Sequence, residues 1–352
     1  MADPGDPLGL HRVVPDPDPA VPLALPQRAQ RLDADPAKRF ESEIEVEVET
    51  LNIDAASFRQ MEEAAGGDPT KVGELVLQTV ERRGKQHNPV TGSGGMLLGT
   101  VKWVGDLVQD RGVVPGDRIA TLASLSLTPL SLRKVKAVRP ASAQVDVEGT
   151  AFLFATAPFA KMPRDISPRL ALAALDVAGA APQVARLAKR GDTVLVLGAG
   201  GKSGILCAVE ARRRVGPQGK VIGLESHAPY AADLVALGVC DAVLEIDARD
   251  AVAVRDRVAE LTMGECADLT LSCVNVPGCE MAAICATKDR GKIYFFAMST
   301  SFTACALGAE GIGADVDLYI GNGYCEGHAE HTLELIRSDD RVRTLFLERY
   351  EG

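Results

Sequence analysis

The sequence predicts an α/β protein whose second half carries a six-stranded, doubly wound parallel sheet and whose first half is a β-rich unit. Three observations predict it. From about Ser167 the chain alternates apolar strand candidates, beginning near Thr193, Lys220, Ala242, Asp268, Lys292 and Asp317, with helical intervals, the pattern of a parallel sheet covered on both faces. The first candidate, Thr193 to Leu197, empties into a glycine-rich turn from Gly198 to Gly204. Before Ser167, short strands are joined by Gly and Pro turns, the texture of a barrel-like unit.

The glycine turn reads as a dinucleotide-binding loop of the Rossmann type. Glycines let the backbone turn tightly and approach a pyrophosphate, and the helix that follows offers unpaired N–H groups and the positive end of its dipole. Counting Gly198 and Gly200 as the first two glycines of G-x-G-x-x-G puts Ser203 in the third place, whereas Gly198, Gly201 and Gly204 form a G-x-x-G-x-x-G variant. Lys202 adds a cation for the pyrophosphate. A glycine cluster also fits an ordinary strand-to-helix loop, so context decides. An apolar helix follows, then Gly219 and the strand Lys220 to Leu224, which ends at Glu225 about 20 residues beyond Gly204, where a carboxylate accepts ribose hydroxyls. Such a carboxylate repels a 2′-phosphate, so NAD is expected over NADP, with His227 the nearby residue that softens the preference. The domains are placed at 1–168, an N-terminal arm and substrate domain, and 169–352, the dinucleotide-binding domain.

Composition narrows the class. A chain of 352 residues has room for two domains, and 48 acidic against 38 basic side chains give a net charge of −10, which argues against a surface for nucleic acid or anionic lipid. No run has the apolar length of a membrane span, and the start is rich in Pro and Asp where a signal peptide is basic and then apolar, so a cytoplasmic protein without a membrane partner is expected. All eight cysteines lie from Cys207 onward with no C-x-x-C pair, which reads as small reduced core residues rather than disulfides or a zinc knuckle.

Along the first half, residues 1 to about 38 alternate Pro, Asp and short apolar groups and predict an extended arm that wraps the body or a partner subunit; a homodimer or higher homo-oligomer is expected. Ile44, Val46 and Val48 alternating with Glu45, Glu47 and Glu49 predict a half-exposed strand. Asp68-Pro69 is a helix start, with Val72, Leu75, Val76 and Val80 on one face of the helix. A strand follows through Gly99 to Gly105, and a helix is predicted from Leu170 to Ala188.

Gly94-Gly95-Met96-Leu97-Leu98-Gly99-Thr100-Val101, then Val104-Gly105, then Pro115-Gly116-Asp117-Arg118-Ile119 resemble the signature of medium-chain dehydrogenases and reductases. Within that superfamily, Thr50-Leu51-Asn52-Ile53-Asp54, the stretch His87 to Met96, Leu175-Asp176-Val177-Ala178-Gly179-Ala180, Ser272 to Pro277 and Ile320 to Tyr324 resemble the L-erythro-3,5-diaminohexanoate dehydrogenases of lysine fermentation. The resemblance implies a GroES-like substrate domain ahead of the Rossmann domain, and NAD-dependent oxidative deamination at C3 of a small diamino acid to 5-amino-3-oxohexanoate and ammonia. It also implies cofactor contacts at Asn275, after the fourth sheet strand, and at Met298 and Ser299, after the fifth; Asp247, ending the third, flanks adenine.

Zinc alcohol dehydrogenases hold their metal with Cys, His and Cys, and the matching places here are Leu51, Gly95 and an aliphatic residue or Asp176, so no metal is expected. An alcohol proton is hard to remove near neutral pH without a Lewis acid, whereas an alkylammonium with a pKa of about 10 needs only a modest base. Carboxylates are then expected to receive the amines. Asp176, a lone carboxylate in an apolar helix, is the first candidate and should have a partner. Asp54 at a strand end and His87 before the glycine-rich turn complete the catalytic set, with an internal polar contact and a packed loop histidine as the plainer readings. Thr91 and Ser93, Glu310 in a Gly308 to Gly313 loop, and Asn322 after the sixth strand are substrate-binding candidates. His328 and His331 read as surface residues of the last helix. Medium-chain enzymes return to the first domain through a long C-terminal segment; here the arm or the helix after Asp68 is expected to close it. Two other functions compete: a zinc-independent quinone or enone reductase, which favours NADPH and an apolar pocket, and a nucleotide-binding subunit without catalysis.

Overall fold

A computed structural model describes residues 3–89, 92–321 and 323–351. The chain forms two compact units, Met1–Asp176 with Tyr350–Gly352, and Val177–Arg349. The first unit therefore runs past residue 168, because the helix Pro168–Leu175 and Asp176 fold with it: Ser167, Arg169 and Leu172 line a recess of about 230 Å³ with Thr50 and Gln144.

In the first unit, β1 (Glu43–Asn52), α1 (Ala55–Ala64), α2 (Pro69–Arg83), β2 (Met96–Val104), β3 (Arg118–Thr121), β4 (Leu130–Arg139), β5 (Gln144–Phe154), β6 (Phe159–Lys161) and α3 (Pro168–Leu175) follow in order. The strands pair antiparallel as β4-β5-β1-β2-β3-β6. Strand β1 is central. Ile44, Val46 and Val48 enter the core while Glu45, Glu47 and Glu49 pair outside with Arg39, Lys102 and Arg118. Between Val48 and Thr50 its register shifts against both neighbours. A bulge changes which face each later side chain takes. Leu51 and Ile53 now join the core, and Asn52 is turned to the opposite face, where it is nonetheless buried. Helix α2 begins as its sequence predicts, with the Asp68 carboxylate accepting from Thr70 N at 2.9 Å.

The N-terminal arm is mostly irregular yet packed rather than simply extended. Arg12 and Glu43 are both fully buried, joined by two hydrogen bonds of 2.8 Å. The remaining guanidinium donors reach the carbonyls of Asp33, Asp35 and Lys38, and the group lies 4.0 Å from the centre of the Phe152 ring. A buried charge persists when every donor is used.

The second unit comprises α4 (Ala180–Leu187), β7 (Thr193–Leu197), α5 (Lys202–Val215), β8 (Lys220–Leu224), α6 (Ala228–Leu237), β9 (Ala242–Leu244), α7 (Ala251–Leu261), β10 (Ala267–Ser272), α8 (Glu280–Cys285), β11 (Thr287–Phe295), α9 (Phe302–Ile312), β12 (Asp317–Ile320), α10 (His328–Ser338) and α11 (Asp340–Tyr350). The sheet is parallel in the order β12-β11-β10-β7-β8-β9, the doubly wound Rossmann arrangement. Its inner positions are Leu195, Leu197, Ile222, Leu224 and Ile293, all buried.

Three expectations need correction here. The helix predicted from Leu170 to Ala188 breaks into α3 and α4, because Pro182 lacks an N–H and is tolerated only in a first turn, and because Gly179 lies against the backbone of Gly323. Glu310 sits in the last turn of α9 rather than in a loop; a Cβ at Gly308 would come within 2.4 Å of Met281 Sδ, so that glycine serves close helix packing. His328 is buried, not on the surface, and His331 approaches the buried Glu210 at 3.3 Å.

Candidate functional site

In the second unit the sheet delivers its first strand into the glycine loop. Gly198 has φ +71°, a left-handed conformation that glycine adopts without strain. At Gly204 a Cβ would lie 2.1 Å from the Gly198 carbonyl oxygen, and at Gly200 it would lie 2.6 Å from Tyr230 Cβ and 2.8 Å from Glu225 Oε2. Gly201 has room for a Cβ. The geometry therefore makes Gly198, Gly200 and Gly204 the obligatory glycines and leaves Ser203 inside the first turn of α5. That helix starts with Gly201 at its N-cap and Lys202 as its first residue, and Ile205 N donates to Gly201 O at 2.9 Å. Amides ahead of that bond lie beyond intrahelical acceptors, so the loop fits an anionic pyrophosphate.

Glu225 ends β8 nearly buried. Its Oε2 accepts from Gly200 N at 3.1 Å and its Oε1 from His227 N at 3.0 Å. Each oxygen keeps further acceptor capacity, so the carboxylate both shapes the loop and suits ribose hydroxyls. Three groups that sequence reasoning missed share this corner. Arg349 Nη1 donates to the Gly200 carbonyl at 2.5 Å, its guanidinium lies 4.2 Å from the centre of the Tyr230 ring, and it pairs with Asp233. Nothing local marks Arg349, which stands 149 residues from Gly200 in the chain.

At the later strand ends, Asn275 and Met298 are exposed on the loops after β10 and β11, and Ser299 Oγ donates to the Val274 carbonyl at 3.0 Å, tying those loops together. Asp247 accepts from Arg249, whose guanidinium holds its carboxyl down at about 2.

In the first unit the Asp176 partner is found. Asp176 caps the C-terminus of α3, half-buried, and Asn52 Nδ2 donates to its Oδ1 at 3.1 Å. Asn52 Oδ1 in turn accepts from Gln144 Nε2 at 3.2 Å, and both amides are about 1% exposed. The β1 bulge is what aims Asn52 at this carboxylate. Asn52 and Gln144 were not singled out as site residues, although Asn52 lies among the residues that carry the family resemblance; an amide in a strand carries no chemical flag of its own.

Asp54 is a helix cap: its carboxylate accepts from Ser57 N at 2.9 Å and Ser57 Oγ at 2.5 Å, which gives each oxygen a local donor. The His87 ring is half-buried, and burial, with the charges of Lys85 and Arg83, lowers its pKa. Its Nδ1 is buried without a hydrogen-bond partner among the described residues. Ser93 Oγ accepts from Gly95 N at 3.3 Å, stiffening the turn. Glu310 is exposed on α9. Thr91 and Asn322 lie outside the described residues. Among the described residues no three His, Cys, Asp or Glu side chains group as a metal site, and no single helix is long and apolar enough to cross a membrane.

Comparison with known proteins adds the family. Residues 12–163 match the model of the L-erythro-3,5-diaminohexanoate dehydrogenase N-terminal domain. An L-erythro-3,5-diaminohexanoate dehydrogenase of Acetoanaerobium sticklandii is 46% identical over 343 residues, 97% of this chain and 98% of the relative. One of Fusobacterium nucleatum subsp. nucleatum is 45% identical over 349 residues, 97% of this chain and 98% of the relative. Among solved structures, mycobacterial Rv1454c complexed with NADPH aligns with a TM-score of 0.56 at 19% identity, covering 88% of this chain and 89% of that one, a likeness of fold. Similar to such dehydrogenases over nearly its full length, the chain is an oxidoreductase and belongs to the L-erythro-3,5-diaminohexanoate dehydrogenase family.

Proposed function

We propose that this protein oxidatively deaminates L-erythro-3,5-diaminohexanoate with NAD+, giving 5-amino-3-oxohexanoate, ammonium and NADH, as a step of lysine fermentation. The observation that carries the reading is 46% identity to a dehydrogenase of that name over 97% of the chain. NAD+ over NADP+ rests on Glu225, whose carboxylate opposes a 2′-phosphate. A cytoplasmic site agrees with eight free thiols, which persist where the medium is reducing. Assembly as a homodimer or higher homo-oligomer, with no nucleic acid or membrane partner, belongs to the same reading.

When bound, a nicotinamide supplies the acceptor for the hydride at C3. In the second unit the Gly198 to Gly204 loop and the start of α5 hold its pyrophosphate, Glu225 its ribose, and Asn275, Met298 and Ser299 the loops at the strand ends. In the first unit Asp176 receives the C3 ammonium. Asn52 donates to one carboxylate oxygen and so fixes the direction of the other. Loss of the ammonium proton to Asp176 frees the lone pair that expels hydride, leaving a substrate iminium whose positive charge the carboxylate arrangement stabilises. Water adds to the iminium carbon, and the carbinolamine collapses to ketone and ammonium. The neutral His87 ring is a second acceptor for the proton released on hydration.

The test is amine-dependent NADH formation from 3,5-diaminohexanoate, followed by the absorbance of the reduced nicotinamide, beside 3-hydroxy acids with NAD+ and enones with NADPH. Amine oxidation is expected alone. Enone reduction without amine oxidation would move the protein to the reductases, and nucleotide binding without any turnover would make it a binding subunit.

A further inference from the structure

Glu225 shares its corner of the second unit with other charged side chains. Around Gly200 the second unit gathers a carboxylate on its N–H (Glu225), a guanidinium on its C=O (Arg349), and Tyr230 Cβ where a side chain on Gly200 would stand. Arg349 is the residue type that reads a phosphate with paired donors, and it stands one peptide group from the carboxylate assigned to the ribose. Yet its side chain is only 11% exposed and its donors are directed elsewhere, to Gly200 O and to Asp233. Tyr230 covers one face of the guanidinium. This arginine is thus already paired, with the Gly200 carbonyl and with Asp233. Asp233, half-exposed on α6, is the carboxylate paired with Arg349.

We propose that the Asp233–Arg349 pair is a cofactor-specificity element, in which Asp233 withholds from a 2′-phosphate an arginine that would otherwise bind it. Discrimination against NADP+ then has two parts: Glu225 repels the phosphate, and Asp233 removes the cation that would compensate. The pair acts on the adenosine half of the cofactor and takes no part in the chemistry at C3. It rests on the reading of Glu225 as the ribose-binding carboxylate.

Binding of NADH and NADPH, read by nicotinamide fluorescence, and competition by 5′-AMP and 2′-AMP test this without turnover, in the full-length protein and in D233N, E225S, E225S/D233N and E225S/D233N/R349Q. Removing a charged partner is worth about tenfold, so D233N is expected to shift the NADPH-to-NADH affinity ratio about tenfold toward NADPH in either background. Adding R349Q is expected to erase that gain. An unchanged ratio in D233N, or a gain that survives R349Q, overturns the proposal, as does a wild-type protein that binds NADPH as tightly as NADH. D233N alters a partly exposed side chain, so it carries the test even where the triple variant does not fold. Failure of amine oxidation with intact nucleotide discrimination would sink the deamination reading and leave this one standing.

Discussion

The two units place their buried polarity in different hands. The first buries whole polar side chains: Arg12, Glu43, Lys85, Gln86, Asn52 and Gln144 are each no more than 1% exposed. The second buries Glu210, Thr270 and Thr332 as well, but gives the work of its candidate site mainly to the backbone, to a loop whose glycines let carbonyls and amides approach one another and, by inference, a pyrophosphate. A site built from backbone is disabled by adding an atom. A site built from side chains is disabled by removing one.

The largest effect should come from removing the charge at Asp176. D176N keeps the size and loses the anion, and kcat/KM for the diamino acid is expected to fall about 10³-fold. NADH affinity should stay where it was. Loss of both together would mean that Asp176 supports the fold rather than the amine.

Next comes the opposite operation. G204V adds a Cβ where 2.1 Å separates it from the Gly198 carbonyl, so the loop must move. NADH affinity is expected to drop by about 100-fold, the scale at which a loop displaced from its ligand loses two or more hydrogen bonds. Wild-type NADH affinity in G204V would show that the pyrophosphate lies elsewhere.

This contrast explains what the sequence made legible. The glycine run from 198 to 204 marks a tight turn directly, and Glu225 follows at a spacing set by one βαβ unit, so the second unit's loop could be read from a short window, while the choice of 200 over 201 came from the packing around each. The strand starts were equally local, since each is an apolar run bounded by turns, except that β11 begins at Thr287 rather than near Lys292, its first half being polar. Asn52 and Gln144 were silent because their role depends on a bulge between Val48 and Thr50 that exchanges the two faces of β1, and strand period alone reads no bulge. Arg12 and Glu43 looked like members of a polar arm and an alternating strand; only tertiary structure makes them a buried pair. Asp54 carries two readings for a related reason. A carboxylate at the end of a strand is also a carboxylate at the start of a helix, and α1 claims it.

A smaller effect tests the positioning of Asp176. N52L retains bulk but removes the Asn52 amide from Asp176 and from Gln144, and kcat/KM is expected to fall about tenfold. N52Q or N52H would restore a donor in part. A change in stability with kinetics untouched would make the amide relay structural only.

The smallest effect is a slope, and it sets the units against each other. Burial, helped by the charge of Arg83, lowers the Lys85 pKa from 10.5 to about 8. Between those values the unfolded chain holds a proton that the folded chain has released, so this residue makes stability rise with pH across that window, by at most about 1.4 kcal/mol per pH unit. Below pH 8 its burial opposes folding in full. In the second unit, burial raises Cys240 to about 12 and Cys279 and Cys305 to about 11, all from 9.0. There the folded chain keeps protons that the unfolded chain gives up, so stability falls as pH rises beyond 9. K85M removes only the first contribution. Urea unfolding at half-unit steps from pH 7 to 10.5 should therefore show the variant declining more steeply than the wild type above pH 8, with the second unit's downward slope left exposed. Parallel curves would mean that Lys85 keeps its proton on the Pro26 carbonyl, 2.7 Å away, throughout that range.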